Sequence, residues 1–89
     1  MSVTAHVVDV IDGDTFTVVG DTIRLAGVDA PELDQPNGVR AKRRLRDLIE
    51  DKTVEYRERA RDVYGRIVAQ VWVGHVDVNA TMRSFLRGI

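Results

Sequence analysis

VIDGDTFTVVGDTIRLAGVDAPE, residues 10–32, carries Asp12, Asp14, Asp29 and Glu32, more carboxylates than a surface turn requires. Phe16 and Val18 alternate with Thr15 and Thr17, and Ile23 and Leu25 alternate with Arg24 and Ala26, the period of two half-buried strands. Gly20-Asp21 between them reads as a two-residue turn with glycine first. A hairpin closed there pairs Val19 with Thr22, Thr17 with Arg24, Asp14 with Gly27 and Asp12 with Asp29. Asp14 and Asp29 become diagonal neighbours, roughly 7–8 Å apart between backbones and within reach of one shared ion. Two facing carboxylates repel unless something positive lies between them. Oxygen donors without Cys, and with neither His in this stretch, favour Ca²⁺ or Mg²⁺ over zinc. The plainer alternative is an ordinary turn at Asp12-Gly13-Asp14 and a loop opened by Asp29. An EF-hand is excluded, because the twelfth position counted from Asp12 is Ile23 rather than Glu.

Arg24 belongs to the same stretch, but an ideal hairpin turns it away from Asp14 and Asp29. A bulge at Gly27 is the expected device for bringing it back. Pro31 ends the strand by removing a donor and holding Ala30 extended. Glu32 then lies on a loop, where it can face a bound water or simply be a solvated acid.

The remaining chain supplies a barrel and its cover. Residues 3–11 form a β-rich run, with His6 read as structural. Residues 39–50 have helical spacing, with Ala41, Leu45, Leu48 and Ile49 on one side and Asn37 or Gly38 as the cap. Residues 52–59 alternate as a half-exposed strand, and 58–62 read as a turn. Asp62-Val63-Tyr64-Gly65-Arg66 sets an aromatic and a guanidinium around a glycine, just before an apolar strand at 67–73. Arg66 can grip a phosphate with its planar fork or pair with Asp62, and Tyr64 can stack on a base or cover the core. Trp72 reads as packing and Gly74-His75 as a turn. Asp77 caps a last helix to about residue 87, with Val78, Met82, Phe85 and Leu86 on one side.

IDGDT (11–15), IRLAGVDAPE (23–32) and DVYGR (62–66), with Val78-Asn79 following, resemble the signature blocks of the staphylococcal nuclease (thermonuclease) family. The similarity runs from about Val7 to Met82. It implies an α+β, mainly β fold: a five-stranded OB-like barrel with two packed helices, carrying a Ca²⁺-dependent phosphodiesterase site. By match to the motifs, Asp14 and Asp29 are carboxylate ligands, Ala30 lends its carbonyl, Glu32 activates water, and Arg24 and Arg66 hold the phosphate. The resemblance implies DNA or RNA as substrate and 3′-phosphate products. The chain reads as a single short-form domain, residues 1–89, lacking the family's C-terminal helix. A homodimer through the C-terminal segment would cover Phe85, Leu86 and Ile89. The alternative function is a nucleic-acid-binding or protein-interaction OB module without activity.

Composition sets the frame for these readings. With 44% hydrophobic and 30% charged residues, the chain is neither disordered nor membrane-spanning in character. Residues 1–6 lack the pattern of a signal peptide and the chain has no Cys, so a cytoplasmic location is the expectation. The net charge of −1 hides an asymmetry: residues 1–39 carry seven acids against Arg24 alone, whereas residues 40–89 carry twelve Lys and Arg against seven acids. A polyanion can be held by the second half while the first carries a cation. Arg40, Lys42, Arg43, Arg44 and Arg46 equally suit a solvated helix face.

Overall fold

The computed structural model describes all 89 residues. Strands β1 (Val3–His6), β2 (Asp9–Asp12), β3 (Thr15–Val18) and β4 (Asp21–Leu25) precede helix α1 (Gly38–Ile49). Strands β5 (Thr53–Arg61), β6 (Ile67–Val73) and β7 (Val76–Asp77) then lead into helix α2 (Val78–Arg87). The sheet runs β1-β5-β6-β4-β3-β2, with β4 and β6 parallel, the other pairs antiparallel, and β7 added to β6. Its two ends, β1 and β2, are joined by Val7 and Val8 alone. Val7 N–H donates to Lys52 beside β5, and Val8 N–H donates to Thr17 on β3. The sheet is thereby closed on itself. Residues 3–11 therefore act as one bent strand shared between two partners, and the seven strands reduce to the expected five-stranded barrel plus the short β7. Closing the barrel removes most of the exposed edges that an open sheet would leave.

Phe16, Ile23, Leu25, Val54 and Val71 are fully buried inside the barrel, and Leu45, Ile49, Val78 and Met82 bring in the two helices. The α1 stripe is as its spacing predicts, packing against β2, while α2 packs on β6. Asp77 caps α2 by accepting from Ala80 N–H at 2.9 Å. Asn37 precedes α1 in a left-handed conformation but makes no side-chain cap.

Three sequence readings need correction. The β3–β4 turn is Val19-Gly20 rather than Gly20-Asp21, so Val18 pairs with Asp21, Thr17 with Thr22 and Thr15 with Arg24. Only Gly20 of the two turn residues has positive φ, at 88°, which is the type II requirement for glycine at the third position of the turn. The slip is of two residues, so each side chain keeps its face but changes its partner. Second, β5 continues to Arg61, because a register shift between Glu58 and Ala60 carries it through residues read as a turn. Third, Phe85 and Leu86 are not left entirely for a second copy to cover: both are half-buried against the core of their own chain, while Ile89 stays exposed. The Arg40 and Arg44 guanidinium carbons lie 5.8 and 6.0 Å from the Phe85 ring centre.

Asn79 is the polar pin of this fold. It is fully buried, accepts from Val71 N–H at 2.8 Å, and donates to the carbonyls of Ala26 and Ala69 at 2.9 and 3.0 Å. It thus ties α2 to β6 and to the turn leaving β4. Asn79→Ala strands Val71 N–H and the Ala26 carbonyl away from water, each costing about 1–3 kcal/mol if left unmade, while the Ala69 carbonyl keeps its bond from Ala26 N–H at 2.8 Å. Thermal unfolding should therefore shift down by well over about 4–8 °C, the shift for 1 kcal/mol in a domain of this size. A smaller shift would mean that water replaces the amide.

Candidate active site

The carboxylates meet where the ladder stops. β2 slips register between Val10 and Asp12, Gly13-Asp14 turns the chain into β3, and β4 ends at Leu25. Asp14 is 6% exposed, and its carboxylate accepts from the Thr15 hydroxyl at 2.8 Å and from Ala30 N–H at 2.9 Å. The segment carrying Asp29 returns because Ala26-Gly27 turns, with Gly27 at φ 70° and Val28 N–H donating to Leu25. Gly27 is therefore a turn residue and not the expected bulge, and Asp12 lies beside Thr15 rather than Asp29.

Arg24 sits between the two aspartates. One of its terminal nitrogens lies 3.4 Å from Asp14 Oδ2 and 3.5 Å from Asp29 Oδ1. Its orientation needs no distortion of β4, because Asp14 and Asp29 both lie beyond the regular ladder. Asp29 keeps its side chain 98% exposed, so only one of the pair is buried.

Arg66 approaches from the start of β6. Its Nε donates to Asp62 Oδ2 at 2.6 Å, and Asp62 Oδ1 accepts the backbone N–H groups of Arg66 and Tyr64 at 3.0 and 2.9 Å. The Asp62 pair expected from the sequence is therefore present, and Arg66 also lines the cavity. The Tyr64 ring lies 5.4 Å from that guanidinium, 81% exposed, on a neighbouring groove with Thr22 and Arg61. The structure does not bring Tyr64 into the main cavity.

Asp14, Asp29, Glu32, Arg24 and Arg66, together with Ala30, all line one cavity of about 590 Å³. Three other lining residues, Asp12, Gln35 and Asn37, had no part in the chemistry expected from the sequence. The DGD spacing pointed to Asp12. Gln35 carried no signal: it matters because its side-chain oxygen accepts from Glu32 N–H at 2.9 Å, fixing the loop on which Glu32 stands.

Four acids face two arginines in this lining, an excess of negative charge. At Asp12, partial burial above all, and then the neighbouring Asp14 carboxylate, push the carboxyl above its usual range despite a hydrogen bond from Asp14 N–H. The donor chemistry, oxygen only and acidic, fits a hard divalent cation. No three acids or histidines converge into a ready cage, so such an ion would draw on Asp14, Asp29, the Ala30 carbonyl and water.

Asp62 shifts the other way. Desolvation raises its pKa, but the hydrogen bonds from Arg66 and Tyr64 and the Arg66 charge outweigh that and hold it below the ordinary 3.8. Folding thus favours the ionised form. The stabilisation is in place above pH 3.8 and is lost as pH falls through the lower folded value. In denaturant titrations below about pH 4, Asp62→Asn should flatten the acid limb relative to wild type. Parallel limbs would show the Asp62 network to be energetically idle.

Fold and cavity together define an OB-like barrel with an acid-and-arginine site at its rim. Residues 22–84 match the family model described as staphylococcal nuclease homologue. The chain is 36% identical over 84 residues to an uncharacterized endonuclease of Haemophilus influenzae, covering 89% of this chain and 47% of that protein. It is 41% identical over 71 residues to micrococcal nuclease of Shigella flexneri, covering 75% and 41% respectively. It is 39% identical over 83 residues to thermonuclease of Staphylococcus hyicus, covering 80% and 49%. The chain belongs to the staphylococcal nuclease family, and it spans about half the length of the curated relatives it matches.

Proposed function

We propose that this protein is a Ca²⁺-dependent nuclease that hydrolyses phosphodiester bonds of DNA or RNA and leaves 3′-phosphate ends. The observation that carries the reading is the convergence of Asp14, Asp29, Arg24, Glu32 and Arg66 on one cavity. A cation held by Asp14, Asp29 and the Ala30 carbonyl would supply Lewis-acid polarisation of a phosphate oxygen. Glu32 stands on an exposed loop with its carboxylate in no ion pair. It can accept a proton from water as the water oxygen bonds to phosphorus. The bond from phosphorus to the 5′ oxygen breaks, and that oxygen takes its proton from solvent. Arg24 and Arg66 hold the equatorial oxygens through planar forks. Contacts to phosphate carry no base information, so cleavage is expected at many sequences.

Degradation of single-stranded DNA with Ca²⁺, and again with a chelator, tests the reading. Wild type should cut only with Ca²⁺, and Glu32→Gln should fall by about 10²–10⁴-fold, the usual contribution of a general base. If wild type cuts no faster than Glu32→Gln combined with Arg66→Ala, the domain is a binding module.

A further inference from the structure

We infer that α1 and α2 form a second subsite, a track that holds single-stranded nucleic acid beyond the cavity through Arg40, Arg44 and Phe85. The inference rests on the nuclease reading for the identity of its ligand, but its geometry is separate from the cleavage groups. Asn37, at the start of α1, and Leu86, on α2, both line the cavity. Arg40 lies about one helical turn beyond Asn37, and Phe85 is next to Leu86 in sequence, so the helix pair that carries Arg40 and Phe85 also borders the cavity. Both guanidiniums lie over the half-buried Phe85 ring, at 5.8 and 6.0 Å from its centre. Farther along, Arg44 and Phe85 line a shallow groove with Thr81 and Ser84.

The charges of Arg40 and Arg44 are uncommitted. Arg40 and Arg44 make no ion pair, as is true of Lys42 and Arg43 on the same helix, but they alone of these lie over an aromatic ring. Contact with Phe85 holds both guanidiniums near one ring, so part of the ordering cost of binding is met in the free protein. Residues four apart rise about 6 Å along a helix, a separation comparable to that of successive phosphates on an extended strand. Guanidinium planes and an aromatic beneath them offer both phosphate contacts and stacking surface, the combination that single strands use. A duplex would keep its bases stacked inside and could use only the charges.

Anisotropy of a fluorescent single-stranded oligonucleotide, measured in chelator so that nothing is cut, tests the track as a function of salt. Arg40→Gln with Arg44→Gln should lower the slope of log affinity against log salt by about 1.4, that is about 0.7 for each lost contact to a single strand. Arg57→Gln with Arg59→Gln on β5 removes the same charge and should leave the slope near wild type. Equal losses in the two double variants would reduce the effect to net charge and overturn the track, as would an unchanged slope in the first. Equal loss of duplex and single-strand affinity would remove the stacking part. In parallel, the α1 double variant should cleave a mononucleotide aryl phosphodiester as wild type does. If wild type itself fails on that diester while the slopes differ as expected, the nuclease reading falls and the binding track stands.

Discussion

Arg24→Ala is expected to lower kcat on single-stranded DNA by about 10²–10³-fold, the range for losing one preorganised donor to developing charge. The same change should disturb stability in a way that depends on cation. Arg24 is the only positive group touching the buried Asp14 carboxylate, which otherwise has a hydroxyl and an amide. Without it, an ionised group at 6% exposure keeps only neutral partners, and the fold should lose about 1–3 kcal/mol in chelator. Added Ca²⁺ should then raise the melting temperature of the variant more than that of wild type, because Asp14 and Asp29 no longer share an internal cation. Arg24→Lys separates the two effects. It keeps the charge but loses the fork, so kcat should stay low while the melting temperature in chelator returns towards wild type. Equal Ca²⁺ shifts in wild type and Arg24→Ala would mean that Arg24 and the ion do not compete for the same oxygens, and the ligand assignment of Asp14 and Asp29 would fail.

That competition was only partly legible from the residues. The spacing of Asp12, Asp14, Asp29 and Glu32 did place an acidic cluster at one hairpin end, and the alternation of Phe16, Val18, Ile23 and Leu25 did assign the core face. The register was mistaken because Gly20 can start one kind of turn or occupy the third position of another, and Val19 tolerates either. A slip of two residues preserves facing, so the buried set came out right while every named pair came out wrong. The link between Asp14 and Asp29 therefore arises from the Ala26-Gly27 turn and the anchoring of Ala26 by Asn79, a contact between residues 53 apart that no local pattern encodes. The division of residues 3–11 between two partner strands was hidden for the same reason. Local propensity marks a strand, whereas only barrel closure decides where it bends. Helices α1 and α2 were readable because a stripe of apolar residues at helical spacing carries its own register.

The loop holding Glu32 offers a sharper test of positioning than deletion of the carboxylate, because it moves the group without changing it. Gly38 begins α1 buried against that loop, and a methyl group added there would run into the Glu32 carbonyl and within 2.9 Å of Leu33 Cα. Both obstacles are backbone, so neither can rotate away. The loop is also braced: Gln35 N–H donates to the Glu32 carbonyl at 2.9 Å, and Gly38 N–H to the Gln35 carbonyl at 3.0 Å. Gly38→Ala must therefore displace the segment or the start of the helix. Alanine gains about 1 kcal/mol over glycine inside a helix, whereas overpacking costs about 1–3 kcal/mol, so the net stability change should be modest. Turnover should not be modest, since a misplacement of about 1 Å at a reacting centre can cost about 10²-fold. The expected result is a loss of that order in kcat, with the single-strand salt slope of the α1–α2 track intact. Gly74→Ala is the control for a glycine replaced without a clash: its φ is positive, at 56°, unlike that of Gly38, but a methyl there meets nothing within 4 Å. It should cost stability and leave kcat within about twofold, because the β6–β7 turn bears no cavity residue. Should Gly38→Ala turn over at the wild-type rate, Glu32 does not act from the position it occupies here, and the proton acceptor must be sought elsewhere among the acids of the cavity.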